Sequence, residues 1–262
     1  MAGNDETTRP CSVRTLDYAD GPGAQRRIAV AVERAVEIVY GDAPYAVMMT
    51  TPADLEDFVY GFSLTEGVIG GAKEIRGIEI RPQNDGRVAS TSLTPDALRR
   101  HMARRRNLSG RTSCGLCGVE SLDQIPSAST PVQGVTPDGA AIARALSLLD
   151  EAQPIFASTR ATHAAAWCDR RGDLLVVRED VGRHNALDKT IGACLRAGIG
   201  AADGFMLTTS RCSFEMVEKA AIFGAPALVS VSAPTSLAID RARALGVRLI
   251  AVARADGALL VE

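Results

Sequence analysis

The sequence predicts an α/β protein: an α+β N-terminal part followed by a C-terminal α/β domain of three α-β-α layers. Three observations carry this. Short runs of alternating apolar residues fill the first third, amphipathic helical stripes and short apolar strands alternate through the last half, and a Gly/Ser/Thr-rich stretch without periodicity separates them. With 262 residues, 46% of them hydrophobic and 23% charged, the chain can bury a core without disulfide staples.

The elements follow in order. Residues 1–22 read as a flexible polar tail ending in Gly21-Pro22-Gly23. In residues 23–106, a mixed α+β domain, Ile28, Val30 and Val32 alternate, as do Val36, Ile38 and Tyr40, and residues 45–49 give a third strand, so a meander is expected. Thr51-Pro52-Ala53-Asp54 carries a cap, a first-turn proline and an acid, the signature of a helix start. Leu55, Phe58, Val59 and Phe62 continue it as a stripe. Strands near 75–81 and 87–93 and a basic helix over 95–106 complete this part. Residues 107–135 read as a functional loop and linker, because a structureless stretch this long is unusual in a compact fold.

Residues 136–262 form the C-terminal α/β domain. A helix is expected over 138–152, strands over 164–168 and 174–178, and a helix over 185–196. Strand 205–208, helix 213–223, strand 227–230, helix 236–245 and strand 248–253 follow. This rhythm implies a parallel or mixed sheet covered by helices.

Charge narrows the function. A net charge of −2 gives no bulk electrostatic grip on nucleic acid or an anionic membrane. Apolar runs are too short to span a bilayer and the N-terminus has no apolar signal core, so a cytoplasmic location is expected. The six cysteines are then not a disulfide framework.

Cys114-Gly115-Leu116-Cys117-Gly118 is the first segment to invite chemistry. A structural zinc needs four ligands and the chain offers no second cluster, so no metal site is expected. A redox pair and a persulfide-carrying thiolate with an assisting neighbour both remain open, as does a pair of inert small residues. Nearby arginines (Arg104, Arg105, Arg106, Arg111) favour a thiolate.

The second segment is residues 179–189, EDVGRHNALDK, at a strand-to-helix junction where open α/β sheets bind ligands. Asp180, Arg183, His184, Asn185, Asp188 and Lys189 are its candidate binding residues. Ser210 and Arg211 mark the next junction, with Ser213 as a helix cap, and Ser232 and Thr235 mark the one after. Of three histidines, His163 and His184 lie near these junctions and His101 on the basic helix. Hydroxyls, arginines and small residues at successive strand ends suit a nucleotide-like ligand, through side chains and helix N-termini.

Together these segments resemble the formate dehydrogenase accessory sulfurtransferase (FdhD) family. The residues that carry the resemblance are MTTPADL at 49–55, Gly61, LTEG at 64–67, the Cys114/Cys117 loop and residues 179–189. Ser210, Arg211, Ser213, Glu215, Met216, Val217 and Lys219, then SVSAPT at 230–235, add to it. The resemblance implies a cytidine-deaminase-like C-terminal fold without its zinc, a homodimer, and a sulfur carrier. Such a carrier takes persulfide sulfur from a cysteine desulfurase and passes it to the molybdenum bis(molybdopterin guanine dinucleotide) cofactor before insertion into formate dehydrogenase. Cys114 would hold the persulfide and Cys117 assist. The dinucleotide would draw on His163 and the strand-end residues, and on Val252, Ala253, Arg254, Ala255, Asp256 and Gly257. Where the family often has a Thr-Gly-Gly before a His, this chain has Arg160, implying either a relaxed backbone or an added phosphate contact. A non-catalytic guanine-dinucleotide-binding assembly chaperone and a thiol–disulfide oxidoreductase are the competing functions.

Overall fold

The computed structural model describes residues 7–19, 21–106, 128 and 130–261, the side chains of 104–106 excepted. Strands β1 (Thr8–Asp17) and β2 (Gly21–Ala31) pair antiparallel, from Thr8 opposite Ala31 to Asp17 opposite Gly21. Residues 8–17 are therefore strand where a tail is expected. Nearly all side chains of the ribbon are exposed on both faces, so its ladder leaves no apolar alternation to read. Because β2 pairs with β1, the expected meander is also replaced: β2 leaves the next sheet to its successors.

That sheet has four strands in the order β4-β3-β6-β5, from β3 (Arg34–Tyr40), β4 (Ala43–Thr50), β5 (Ile75–Gln83) and β6 (Gly86–Leu93). The central β3 and β6 are parallel and the flanking pairs are antiparallel. Val36, Ile38 and Tyr40 are fully buried, as their alternation requires. Helix α1 (Leu55–Thr65) connects β4 to β5, and α2 (Pro95–Arg106) follows β6. The expected cap does not form. Helix α1 starts after Asp54, whose φ is 54° and whose side chain makes no capping bond. Thr51 is engaged elsewhere.

The second half builds a six-stranded mixed sheet, β12-β11-β10-β9-β7-β8. Its strands are β7 (His163–Asp169), β8 (Leu174–Asp180), β9 (Gly204–Thr208), β10 (Ala227–Ser230), β11 (Arg248–Arg254) and β12 (Gly257–Leu260). Strands β9, β10 and β11 are parallel, and β7 is antiparallel to both β8 and β9. The carboxyl ends of β8, β9, β10 and β11 and the start of β7 therefore share one edge. Along β9, Phe205 and Leu207 face α3 (Gly139–Leu149) while Met206 faces α5 (Arg183–Ala197), α6 (Phe214–Phe223) and α7 (Ser236–Leu245).

The two halves share a core. Ile38, Phe58 and Phe62 of the first pack in one cluster with Trp167, Leu187 and Met206 of the second. Helices α1 and α5 cross at two glycines. A Cβ on Gly61 would lie 1.8 Å from the Asp188 carbonyl oxygen, and one on Gly192 would lie 1.8 Å from that of Asp57. Only glycine allows backbones this close.

Candidate functional site

The shared edge collects the strand-end segments. Beside it lies a cavity of about 600 Å³ between the end of α3, the short helix α4 (Pro154–Thr159), His163, Thr209, Val231 and residues 253–255. Its walls are apolar at Leu146, Leu149, Phe156 and Ala253, and polar at Gln153, Thr162, His163, Arg160 and Arg254. Mostly apolar concavities with few polar groups are the common form of small-molecule sites.

The edge is cationic. Burial lowers the His163 pKa, and the nearby charges of Arg183 and Arg211 and the His184 ring lower it further. His163 is thus a neutral imidazole at neutral pH, set among cations. His184 Nε2 lies 2.9 Å from Glu215 Oε2 at the start of α6. Arg183 Nε and Ser213 Oγ are buried with no hydrogen-bond partner among the described residues. Ser213 holds the N-cap position of α6 yet makes no capping bond, contrary to its expected role. Arg254 donates from its guanidinium to the carbonyls of Val231 and Ala253, which orients it at the cavity mouth.

Four expected binding residues point elsewhere. Asp180 and Lys189 form an ion pair of 2.7 Å with both side chains fully buried. Asp180 also accepts from the Thr51 N–H at 2.9 Å and the Gly182 N–H at 2.8 Å. Lys189 donates to the Thr51 carbonyl at 2.9 Å, and the Val181 N–H to Thr51 Oγ1 at 3.1 Å. Asn185 donates to the Met49 carbonyl at 2.8 Å and to Asp180 Oδ1 at 3.0 Å. Asp188 accepts from Lys219 at 2.8 Å and from Thr65 Oγ1 at 2.8 Å. Asp180, Asn185, Asp188 and Lys189 thus tie the first half to the second, and of their segment Arg183 and His184 remain for a ligand.

The other junctions divide in the same way. Ser210 is buried, accepting from Thr208 or donating to it at 3.1 Å and donating to the Arg211 carbonyl at 3.0 Å. It shapes the loop that presents the exposed Arg211. Thr235 caps α7 by accepting from the Ala238 N–H. The Ser232 carbonyl accepts from the Val252 N–H at 3.2 Å, joining two junctions. Val252 has φ 51°, a left-handed conformation that a β-branched residue rarely adopts. This kink coincides with a register shift between Ala251 and Arg254 in the β11–β12 ladder, and residues 253–255 line the cavity, while Asp256 in the turn and Gly257 at the start of β12 are exposed.

Arg160 keeps φ 55° at the C-cap of α4, so the relaxed-backbone alternative is excluded. Its guanidinium lies 5.0 Å over the Phe156 ring. Glu179 anchors α4, accepting from the N–H groups of Ile155 and Phe156 at 2.9 and 2.7 Å and from Thr162 at 2.8 Å. Sequence reasoning missed Phe156 and Gln153, and took Thr209 and Glu215 only as members of the strand-to-helix junction at 209–215. His101 packs edge-on against Tyr40 and Tyr45, away from this edge.

Cys114 and Cys117 lie outside the described residues. The chain on either side is anchored: α2 by His101, and Ala128 by its N–H to Glu218 at 2.7 Å and its carbonyl to Arg241 at 2.7 Å.

The FdhD/NarQ family pattern matches residues 31–261. A sulfur carrier protein FdhD of Xanthomonas axonopodis pv. citri is 45% identical over 254 residues, covering 96% of this chain and 90% of the relative. One from Agrobacterium fabrum is 46% identical over 244 residues, covering 90% and 88%. The crystal structure of a formate dehydrogenase accessory protein from Desulfotalea psychrophila superposes with a TM-score of 0.78 at 26% identity, over 98% of this chain and 97% of that one.

Proposed function

Because the chain belongs to the FdhD/NarQ family, we propose that it is a sulfur carrier for formate dehydrogenase maturation, loading persulfide on Cys114 and delivering it to a guanine dinucleotide form of the molybdenum cofactor held as substrate at the carboxyl edge. The observation that carries the second half of this reading is the cluster of Arg183, His184, Arg211 and the neutral His163 beside the 600 Å³ cavity. A dinucleotide brings a diphosphate and a flat base. Arginines and the N-termini of α5 and α6 suit the diphosphate, and the apolar cavity suits a ring system.

Loading is a sulfane transfer from a cysteine desulfurase. The Cys114 thiolate attacks the terminal sulfur of the donor persulfide; a sulfur–sulfur bond forms at Cys114 as the donor's breaks, and the donor leaves as a thiolate without net oxidation or reduction. Cys117, three residues on, assists. The described chain on either side is held in place, α2 through His101 and Ala128 through Glu218. The family resemblance adds a homodimer.

Intact-protein mass spectrometry after incubation with a desulfurase and cysteine tests this. A reductant-sensitive gain of about 32 Da per sulfur in wild type, absent in Cys114→Ser, is expected. No adduct on wild type with an active desulfurase overturns it and favours the assembly-chaperone alternative.

A further inference from the structure

We infer that the β1–β2 ribbon is a dimerisation arm: in two copies related by a twofold axis, one face of each ribbon lies over the outer face of the other copy's four-stranded sheet. The arm supplies a surface for the homodimer proposed above, and so rests on that reading.

Residues directly paired in an antiparallel ladder share a face. In the ribbon Arg9 pairs with Val30, Cys11 with Ile28 and Val13 with Arg26. One face therefore carries Cys11, Val13, Ile28 and Val30, with Arg9 and Arg26 beside them. Two apolar residues on each strand are too few to read as a period, and the face emerges only from the pairing. Cys11 and Ile28 are exposed on it, and Leu16 and Tyr18 are exposed towards the tip. A lone two-stranded ribbon is marginally stable in water, so one with an uncovered apolar face calls for a surface to lie on.

The four-stranded sheet offers that surface. Val36 and Ile38 of β3 are buried, so Ala35 and Glu37 face the other way, together with Met49 and Val47 of β4 and Val88 of β6. Val47 and Met49 are each 48% exposed. A hollow of about 490 Å³ runs from this face to the β5–β6 turn, and Glu33, Glu37 and Asp85 line it. None of these three carboxylates has an ion-pair partner among the described residues, and neither do Arg9, Arg14, Arg26 and Arg27 of the ribbon. Arg34 and Arg87, also at the hollow, donate to the carbonyls of Asp85 and Gly86. Cationic ribbon and acidic hollow are thus complementary.

The link between β2 and β3 is Val32 and Glu33, and no ribbon residue lines the hollow. The ribbon is therefore rooted at the rim of the hollow yet lies against α4 of its own chain. A second copy turned about an axis near that root seats two ribbons on two hollows at once, the self-complementary contact of a twofold dimer. At about 3.3 Å per residue and 4.8 Å between strands, one ribbon face offers roughly 300 Å². Counted on both surfaces and repeated by the twofold, the contact buries roughly 1,200 Å², the lower end of specific interfaces.

Sedimentation equilibrium of the full-length chain tests this. Wild type is expected to dimerise, and Arg9→Glu/Arg26→Glu to weaken the dimer about tenfold or more, since like charges then meet. Adding Glu33→Arg/Glu37→Arg should restore it. Thermal melts show that each variant keeps its fold. Cys11 still reacts with iodoacetamide through the open monomer, at a rate that falls as protein concentration rises. Placement is read with a short bismaleimide on Met49→Cys in a Cys114→Ser/Cys117→Ser background, which should join Cys11 of one copy to position 49 of the other. A dimer of wild-type strength in Arg9→Glu/Arg26→Glu, or a Cys11 cross-link within one chain, overturns the arm and leaves the homodimer standing. A wild type that stays monomeric overturns both.

Discussion

The Nζ of Lys189 and Oδ2 of Asp180 meet at 2.7 Å with neither side chain exposed, and between them they take both backbone polar groups of Thr51. A buried pair of this kind gives little net stability over an apolar pair, yet breaking it strands a charge. Lys189→Met is expected to cost about 3–5 kcal/mol in urea denaturation. Adding Asp180→Asn should recover part of the loss, because the amide oxygen still accepts from the Thr51 N–H. Equal stability of the single and double variants would refute the account.

The α1–α5 crossing makes a second prediction. A methyl group at Gly61 or Gly192 meets backbone carbonyl oxygen at 1.8 Å, and backbone cannot yield as a flexible side chain can. Overpacking usually costs about 1–3 kcal/mol, and contact with rigid backbone belongs at or above the top of that range. Gly61→Ala and Gly192→Ala should each lower the unfolding midpoint sharply, whereas Gly200→Ala, with open space around its Cβ position, should not.

Acid should weaken the fold through His163. Its folded-state pKa lies below the unfolded value of about 6.5, for reasons of burial first and then neighbouring cations. Below about pH 6.5 the unfolded chain binds more protons at this position than the folded one, so stability falls as pH drops and is fully kept above it. His163→Gln removes this contribution. Urea midpoints measured from pH 7.5 to pH 5 should fall less steeply for the variant, and parallel curves would contradict the assignment.

Thiol labelling should separate the cysteines into two groups. Burial pushes the Cys194 and Cys212 thiols up to about 12 and raises that of Cys168 further. These three should resist iodoacetamide in the native protein at pH 7.5, while the exposed Cys11 reacts. All three should label once the chain is denatured. Labelling at Cys114 in the native state, lost after persulfide loading, would follow from its carrier role.

Apart from α4, the order of helices and strands from β3 to β11 is legible because each buries a face, and burial writes a period into the sequence. Strand β1 escapes because its ladder is held by backbone groups, with side chains exposed on both faces. Helix α4 escapes because six residues carry less than two turns of pattern, and the Glu179 carboxylate that anchors it is 23 residues away from Phe156. The polar density of residues 179–189 was visible, but its use was not. Asp180, Asn185 and Lys189 satisfy groups of residues 49–51, between 129 and 138 positions away, and a buried polar partner at that distance looks in sequence like a ligand group. Arg183 and His184, alternating with these, are the residues left facing the crevice. Glu215 was legible only as a member of a motif, since its partner His184 lies on a different helix.

The capture of Thr51 by Asp180 and Lys189 has a consequence for synthesis. At about 5–20 residues per second, the ribosome needs several seconds to add the 138 residues separating Thr51 from Lys189, plus those that hold Lys189 inside the exit tunnel. Until then the Thr51 amide lacks its Asp180 acceptor and the Thr51 carbonyl has only the local Ala53 N–H and Thr50 hydroxyl, and the segment bearing Cys114 and Cys117 is already translated. The nascent chain thus presents its two thiols before the halves lock, so a cell making this protein must keep them reduced through that interval.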